Sequence, residues 1–320
     1  MSLTPIDHTL AMPTIMLLHA GVETSSAMLS RAWHRGDVIR VARGVYADSA
    51  AWRELRAWER YLARVHAVAA ANPDAIFCGP SSAALRGAQL GRANAPICIL
   101  NPQGTSRTSN GIRVVTSDDQ RRVECVDGIL LTSTEDTIID LARTESRPAG
   151  LAYADALLRR DRGARPEKLR ALNEARLSSR NRDRARWALE RATGIPESVL
   201  ESLSLAVIEL GGFELPDLQV EFSAEGPTDR ADFYWRSRDV IGEADGDVKY
   251  SGELADPTEA IRKEKLREAR LRRQVSSHLR WGWGEYTAPD RLLSMLDRTG
   301  IPRIAAPDGI ALAGIRAGRW

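Results

Sequence analysis

The sequence predicts a multidomain α/β protein: an N-terminal winged helix-turn-helix, an α+β middle region and a C-terminal mixed-sheet domain. Three observations carry this expectation. A capped helix over residues 24–36 runs straight into two short strands. Strand-like and helical segments then alternate as far as Arg143. Beyond Gly194-Ile-Pro196, a helix leads into a carboxylate-bearing hairpin, a basic helix and a last apolar strand. The expected boundaries are 1–72, 73–193 and 194–320. A chain of 320 residues suits two or more domains at about 150 residues each. With 43% hydrophobic and 28% charged residues, wholesale disorder is excluded.

In the first region, Thr24 or Ser25 caps a helix of about ten residues, with Met28 and Leu29 toward a core. Gly36 ends it in the left-handed conformation. Asp37-Val-Ile-Arg-Val-Ala-Arg-Gly-Val-Tyr46 partly alternates apolar and polar residues, with a turn or bulge at Gly44. In a winged helix, that helix enters the major groove and places Ser25, Ser26, Arg31, His34 and Arg35 near DNA. Arg40 and Arg43 on the wing reach phosphates. The same pattern also suits a small helix and hairpin used only for packing.

Residues 52–72 follow as one amphipathic helix. Strands are expected at Ile97–Leu100, Ile112–Thr116 and Ile129–Thr132, then a helix from Ser133 to Arg143 opened by a Ser133/Asp136 capping box. Residues 148–191 are helical by composition, interrupted around Asp161–Pro166.

The net charge of +2 hides strong segregation. Residues 143–191 carry fourteen basic and seven acidic side chains; residues 192–256 carry fifteen acidic and four basic. The stretch RKEKLREARLRR, residues 262–273, is basic again. Each run by itself is also what a solvated helix face looks like. In order, they form the layout that an enzyme acting on a polyanion requires. Cys78, Cys98 and Cys125 form no CxxC pair, which argues against a zinc knuckle and for a reducing cytoplasm. No signal peptide is expected, and no stretch approaches the ~20 apolar residues of a membrane span.

The chemistry concentrates in the last third. Glu197–Leu210 reads as a helix stopped by Gly211-Gly212, and Leu218–Phe222 as a strand. Arg230-Ala-Asp232-Phe-Tyr-Trp235, a turn at Arg236–Asp239, and Val240-Ile-Gly-Glu243-Ala-Asp245-Gly246 form a hairpin. Counted outward from the turn, Asp232 and Glu243 sit side by side on one face, and Asp245 shares it if the strand stays regular. Lys249 follows a glycine turn, then a helix over Thr258–Gln274 and a strand around His278–Trp283.

Converging carboxylates repel one another unless a cation such as Mg²⁺ or Mn²⁺ binds among them. A metal held by Asp232, Glu243 and Glu201 lowers the pKa of a bound water and neutralises charge developing on a phosphodiester. Lys249 is the candidate for stabilising the same transition state, and Lys263 and Lys265 for holding the backbone. The competing reading is a hairpin whose acids simply solubilise it. Asp245-Gly-Asp247 does not make an EF-hand, because the ligand spacing and the bidentate Glu are missing.

Glu201-Ser, Asp232-Phe, Gly242-Glu243-Ala-Asp245-Gly246, Lys249-Tyr250, Glu264-Lys265-Leu-Arg267 and Leu279-Arg280-Trp281 together carry a resemblance. They resemble the PD-(D/E)XK nuclease superfamily, closest to the branch related to very-short-patch-repair endonucleases. Arg43-Gly44-Val-Tyr46, Gly79-Pro-Ser81-Ser-Ala-Ala-Leu85-Arg-Gly87, and Leu131-Thr132-Ser133 ahead of Asp140-Leu-Ala142 are similar to AbiEi-type antitoxins of type IV toxin–antitoxin systems. The resemblance implies a winged-helix module fused to a restriction-endonuclease-like α/β domain, with a place in bacterial defence. It implies Asp232 as the first motif carboxylate, Glu243 as the second and Glu201 as the helix acid. The chain departs where the motif lysine should stand, because that position is Asp245; Lys249 is the nearest substitute. It also lacks the glycine usual before the last strand, reading Val275-Ser-Ser-His278.

Two functions follow as expectations. One is a Mg²⁺-dependent DNA endonuclease anchored by its winged helix, a homodimer if it cuts both strands. The other is a DNA-binding antitoxin or autorepressor with a cognate toxin and a catalytically silent nuclease-like domain. An RNA-directed nuclease is a third, although no aromatic stacking platform is visible.

Overall fold

The computed structural model describes residues 10–20, 24–161, 163–223, 226–246 and 257–318. The chain is mixed α/β and forms two compact units, Met1–Thr144 with Arg160–Glu190, and Glu145–Arg159 with Arg191–Trp320.

The first unit begins with β1 (Leu18–His19), α1 (Ser26–Arg35), β2 (Val38–Ala42) and β3 (Val45–Asp48), whose strands form a sheet in the order β1-β3-β2. Ser25 is the cap: its Oγ accepts from the Met28 N–H at 3.4 Å, and Gly36 closes the helix at φ 83°. Leu29 is buried, but Met28, one helical step of about 100° away, is 55% exposed and belongs to the outer face rather than the core. The helix expected over 52–72 is two helices, α2 (Ser49–Glu54) and α3 (Ala57–Ala71). Arg56 between them is extended, and its N–H is taken by the Glu59 carboxylate at 2.7 Å, which starts a new helix. Tyr61, Leu62, Val65 and Val68 recur at helical spacing and are buried together.

Next come β4 (Ile76–Phe77), α4 (Gly79–Leu85), β5 (Ile97–Leu100), β6 (Arg107–Ser109), β7 (Ile112–Val115), β8 (Val123–Val126) and β9 (Ile129–Thr132). They make a mixed sheet in the order β6-β7-β5-β4-β9-β8. Then follow α5 (Thr134–Thr144), α6 (Arg147–Arg160), which belongs to the second unit as far as Arg159, α7 (Pro166–Ala175) and α8 (Arg182–Arg191). Ser133 Oγ accepts the Asp136 N–H at 3.1 Å as expected, while Asp136 Oδ2 reaches the Arg122 N–H at 2.7 Å and ties the helix to the preceding loop.

Much of the basic run is spent internally. Arg143 donates to Asn173 and to the Ser178 carbonyl, Arg176 to Asp136 and the Gln120 carbonyl, and Arg186 to Glu174 and Asp183. These guanidinium groups cap loops and helix ends, so the run is not a free cationic arm.

In the second unit, α6 buries Asp155, which accepts the Thr193 and Gly194 N–H groups at 2.9 Å each and the Ser202 hydroxyl at 2.8 Å. This fixes the chain where it enters α9 (Val199–Leu210). There follow β10 (Asp217–Phe222), β11 (Asp229–Trp235), β12 (Val240–Ala244), α10 (Pro257–Arg273), β13 (Ser277–Trp281), α11 (Trp283–Thr287), α12 (Pro289–Arg298) and α13 (Gly309–Arg316). The sheet order is β10-β11-β12-β13: the first three strands are antiparallel, and β13 returns parallel to β12 after α10. The last strand ends at Trp281, short of the expected Trp283, because Glu285 accepts the Gly282 N–H at 2.9 Å and opens α11.

Aromatic packing sets the α9 side of this sheet. The Phe233 ring stacks on Trp281 at 5.3 Å and on Trp235 at 6.3 Å, and Trp281 Nε1 donates to Ser204 Oγ of α9 at 2.8 Å. Gly242 lies beneath: a Cβ there meets Trp281 Cη2 at 2.6 Å and Trp235 Cζ3 at 3.0 Å. Both rings are fully packed and cannot retreat. Gly242→Ala should therefore cost about 1–3 kcal/mol, read as a lower urea midpoint at unchanged m-value.

Candidate functional site

The acids are brought together by the opening of the β11–β12 ladder. Phe233 pairs with Gly242, Tyr234 with Ile241 and Trp235 with Val240, so the register carries Asp232 opposite Glu243. At that point the Asp232 side chain replaces a ladder bond: its Oδ2 accepts the Ala244 N–H at 3.0 Å. From α9, Glu201 Oε2 accepts the Glu197 N–H at 2.9 Å and the Gln219 Nε2 at 2.8 Å. The same Gln219 nitrogen lies 3.3 Å from Asp232 Oδ1. Glu201 and Asp232 thus meet through the amide of a β10 residue.

Side chains alternate along β12, so Glu243 points away from the Trp281 side, toward α10. It is only 3% exposed and is held by Arg267 Nη2 and by His278 Nε2, the latter at 3.1 Å. The buried Nδ1 of His278 has no hydrogen bond. The expected common face of Asp232, Glu243 and Asp245 does not form: Asp232 turns to Gln219 and Glu201, Glu243 to Arg267 and His278, and Asp245 lies past the strand. The strand ends at Ala244, and Asp245 forms a two-point pair with Arg280 at 2.6 and 2.9 Å. Asp229, at the start of β11, makes the same kind of pair with Arg270 at 2.7 Å for both bonds.

Lys263 and Lys265 are exposed on α10, whereas Arg267 and Arg270 on the same helix reach the acids. Arg270, His278 and Gln219 are site residues that the motifs do not name, and Arg267 and Arg280, quoted there only as part of the resemblance, prove to be partners of the acids. A signal for Arg267 existed: it stands four residues before Leu271, which is fully buried, so both share the helix face turned to the sheet. Lys249 lies outside the described residues.

These contacts set the carboxyl pKa values. Burial first, and then the charge of Glu201, push Asp232 from an ordinary 3.8 up to about 7; Glu243 adds to the rise, while the Ala244 N–H and the Gln219 amide oppose it. Burial alone would raise Glu243 as well, but the His278 hydrogen bond and the Arg267 charge outweigh it and hold the carboxyl below its usual range. One acid is thereby proton-accepting near neutrality and its neighbour is kept ionised.

Among the described residues no three His, Cys, Asp or Glu side chains form a ready metal-binding group. The donor chemistry still suits a hard divalent cation, because Asp232 and Glu201 present carboxylate oxygens from two rigid elements.

In the first unit, Ser25, Ser26, Arg31, Arg35, Arg40 and Arg43 are all exposed, on α1, its cap and the β2–β3 hairpin. Ser25 spends its hydroxyl as the cap, and Arg35 pairs with Asp37 at 2.8 Å. Trp33 is 43% exposed on the same helix, its ring 5.0 Å from that of His34.

No family model matches the chain. Two curated proteins from strains of Mycobacterium tuberculosis, Uncharacterized protein MT2308 and Uncharacterized protein Rv2248, are similar to it. Each is 33% identical over 242 residues, covering 74% of this chain and 82% of the relative. The chain belongs to their family. No solved structure matches. Among the described residues no helix is long and apolar enough to cross a membrane.

The Asp232 shift has a pH signature. The folded state binds this proton more tightly than the unfolded chain, so its stabilisation is complete below about pH 4 and is lost as pH rises through about 7. Denaturant stability should fall between about pH 4 and pH 7. Asp232→Asn, which keeps the shape without the charge, should flatten that fall; an equal fall in the variant would assign it elsewhere.

Proposed function

We propose that the protein is a metal-dependent DNA endonuclease that hydrolyses phosphodiester bonds, with α1 and the β2–β3 hairpin serving as a DNA-binding winged helix. The observation that carries this reading is the meeting of Glu201 and Asp232 at the Gln219 amide where the β11–β12 ladder opens, with Asp232 pushed up to about 7 by burial and then by the charge of Glu201. Crowded carboxylates on rigid strands with perturbed titration mark a functional site more often than a solvated hairpin.

Asp232 and Glu201 would hold Mg²⁺ or Mn²⁺, with Glu243 joining them. Such an ion, when bound, activates a water and neutralises phosphate charge. The chain's own groups do the rest. His278 and Arg267 keep Glu243 ionised. The exposed Lys263 and Lys265 attract the backbone. Asp245, locked to Arg280, supports the strand end, and Lys249 is the remaining candidate for transition-state charge. DNA as substrate goes with a cytoplasmic setting, and Cys78, Cys98 and Cys125, none of them in a disulfide, agree with one.

One observation favours a second reading. The guanidinium groups of Arg267 and Arg280 already neutralise Glu243 and Asp245. A nuclease-like domain whose acids are permanently paired is catalytically silent, and the protein is then a DNA-binding antitoxin or autorepressor with a cognate toxin.

A cleavage assay with Mg²⁺ or Mn²⁺ over double-stranded, single-stranded, mismatched and modified DNA separates the two. Cleavage that Glu243→Ala abolishes while DNA binding persists is the expected result. Binding without cleavage on every form selects the regulator. Arg31→Ala and Arg43→Ala should each weaken DNA binding and lower the salt slope by about 1. Unchanged affinity in both removes the winged-helix assignment.

A further inference from the structure

We infer that Gln219 is the positioning residue of the acidic site, its side-chain amide tying Glu201 of α9 to Asp232 of β11. The inference rests on the metal-dependent reading above and names a residue that no motif supplies. Two independent observations converge on it.

The first is the bridge itself, with Nε2 at 2.8 Å from Glu201 Oε2 and 3.3 Å from Asp232 Oδ1. The second is the backbone. Leu218 pairs with Phe233 and Val220 with Ala231, which puts Gln219 opposite Asp232, yet Gln219 has φ 54° inside the strand. A side chain with a Cβ rarely adopts the left-handed region, and glutamine, unlike Asn or Asp, is not enriched there. Such strain persists only where the surroundings impose it, and it gathers at functional sites.

The chemistry of the bridging group also fits. Two carboxylates drawn together repel each other, and a lysine between them would cancel half their charge and compete with a cation for their oxygens. A primary amide donates to both oxygens and adds no charge. It sets the spacing of the acids while leaving their negative charge for a divalent ion.

The test uses the full chain and Mn²⁺ as the probe. Calorimetric titration should show Gln219→Leu and Gln219→Gly each weakening Mn²⁺ binding about 10–100-fold, the range typical of partners that orient metal ligands. The glycine variant relieves the backbone strain but removes the amide, so wild-type affinity in Gln219→Gly overturns the proposal. A thermal double-mutant cycle provides a readout independent of metal. The drop in Tm caused by Gln219→Leu should shrink by about half in a Glu201→Gln background, because the charged acceptor is gone. Additive shifts overturn the proposal. If the wild-type chain binds no Mn²⁺, the metal-dependent reading falls, and the cycle alone decides the role of Gln219.

Discussion

The second unit depends on the pairing of one basic helix with one acidic sheet. Three carboxylates, Asp229, Asp232 and Glu243, stand on adjacent strands of a largely buried sheet. Burying unpaired charges of one sign costs several kcal/mol each, so the sheet needs a cationic lid. α10 supplies it: Leu271 packs with Ala231 and Ile241, and Arg267 and Arg270 are thereby delivered to Glu243 and Asp229. Removing one partner of such a buried pair typically costs about 3–5 kcal/mol, because the other charge is left stranded. The helix between β12 and β13 also carries the chain across to make β13 parallel, so the ion pairs and the topology support each other.

Asp232 is the acid that this lid does not satisfy. Its contacts are a backbone N–H and a neutral amide, and its neighbours are two further carboxylates. The difference between Asp232 and Glu243 comes from environment alone: two carboxyl groups opposite one another, one drawn toward protonation and one kept ionised. Pairs separated in this way are the raw material of acid–base chemistry at neutral pH.

The segregated charge of the chain has a structural meaning beyond attraction to a polyanion. Within the acidic block, Glu243 and Asp229 pair with Arg267 and Arg270 of the basic helix, and Asp245 pairs with Arg280 of β13. Of the basic run of 143–191, Arg143, Arg176 and Arg186 are spent on carbonyl oxygens and carboxylates of the first unit. The exposed arginines of α1 and the β2–β3 hairpin, with Lys263 and Lys265, are the basic groups that face solvent at the proposed DNA surfaces.

Local rules in the sequence were enough to determine the capped helix ending at Gly36, the hairpin that sets Asp232 opposite Glu243, and the Ser133 cap, because each depends on residues close along the chain. They also gave α10 and its basic character. The break between α2 and α3 turned on a single backbone N–H captured by Glu59, which an apolar periodicity cannot register. The placing of Asp245 on Arg280, of Arg267 on Glu243 and of Gln219 between Glu201 and Asp232 joins residues 13 to 35 positions apart. Only the tertiary structure decided those contacts, because sheet register and helix docking determine which charges meet.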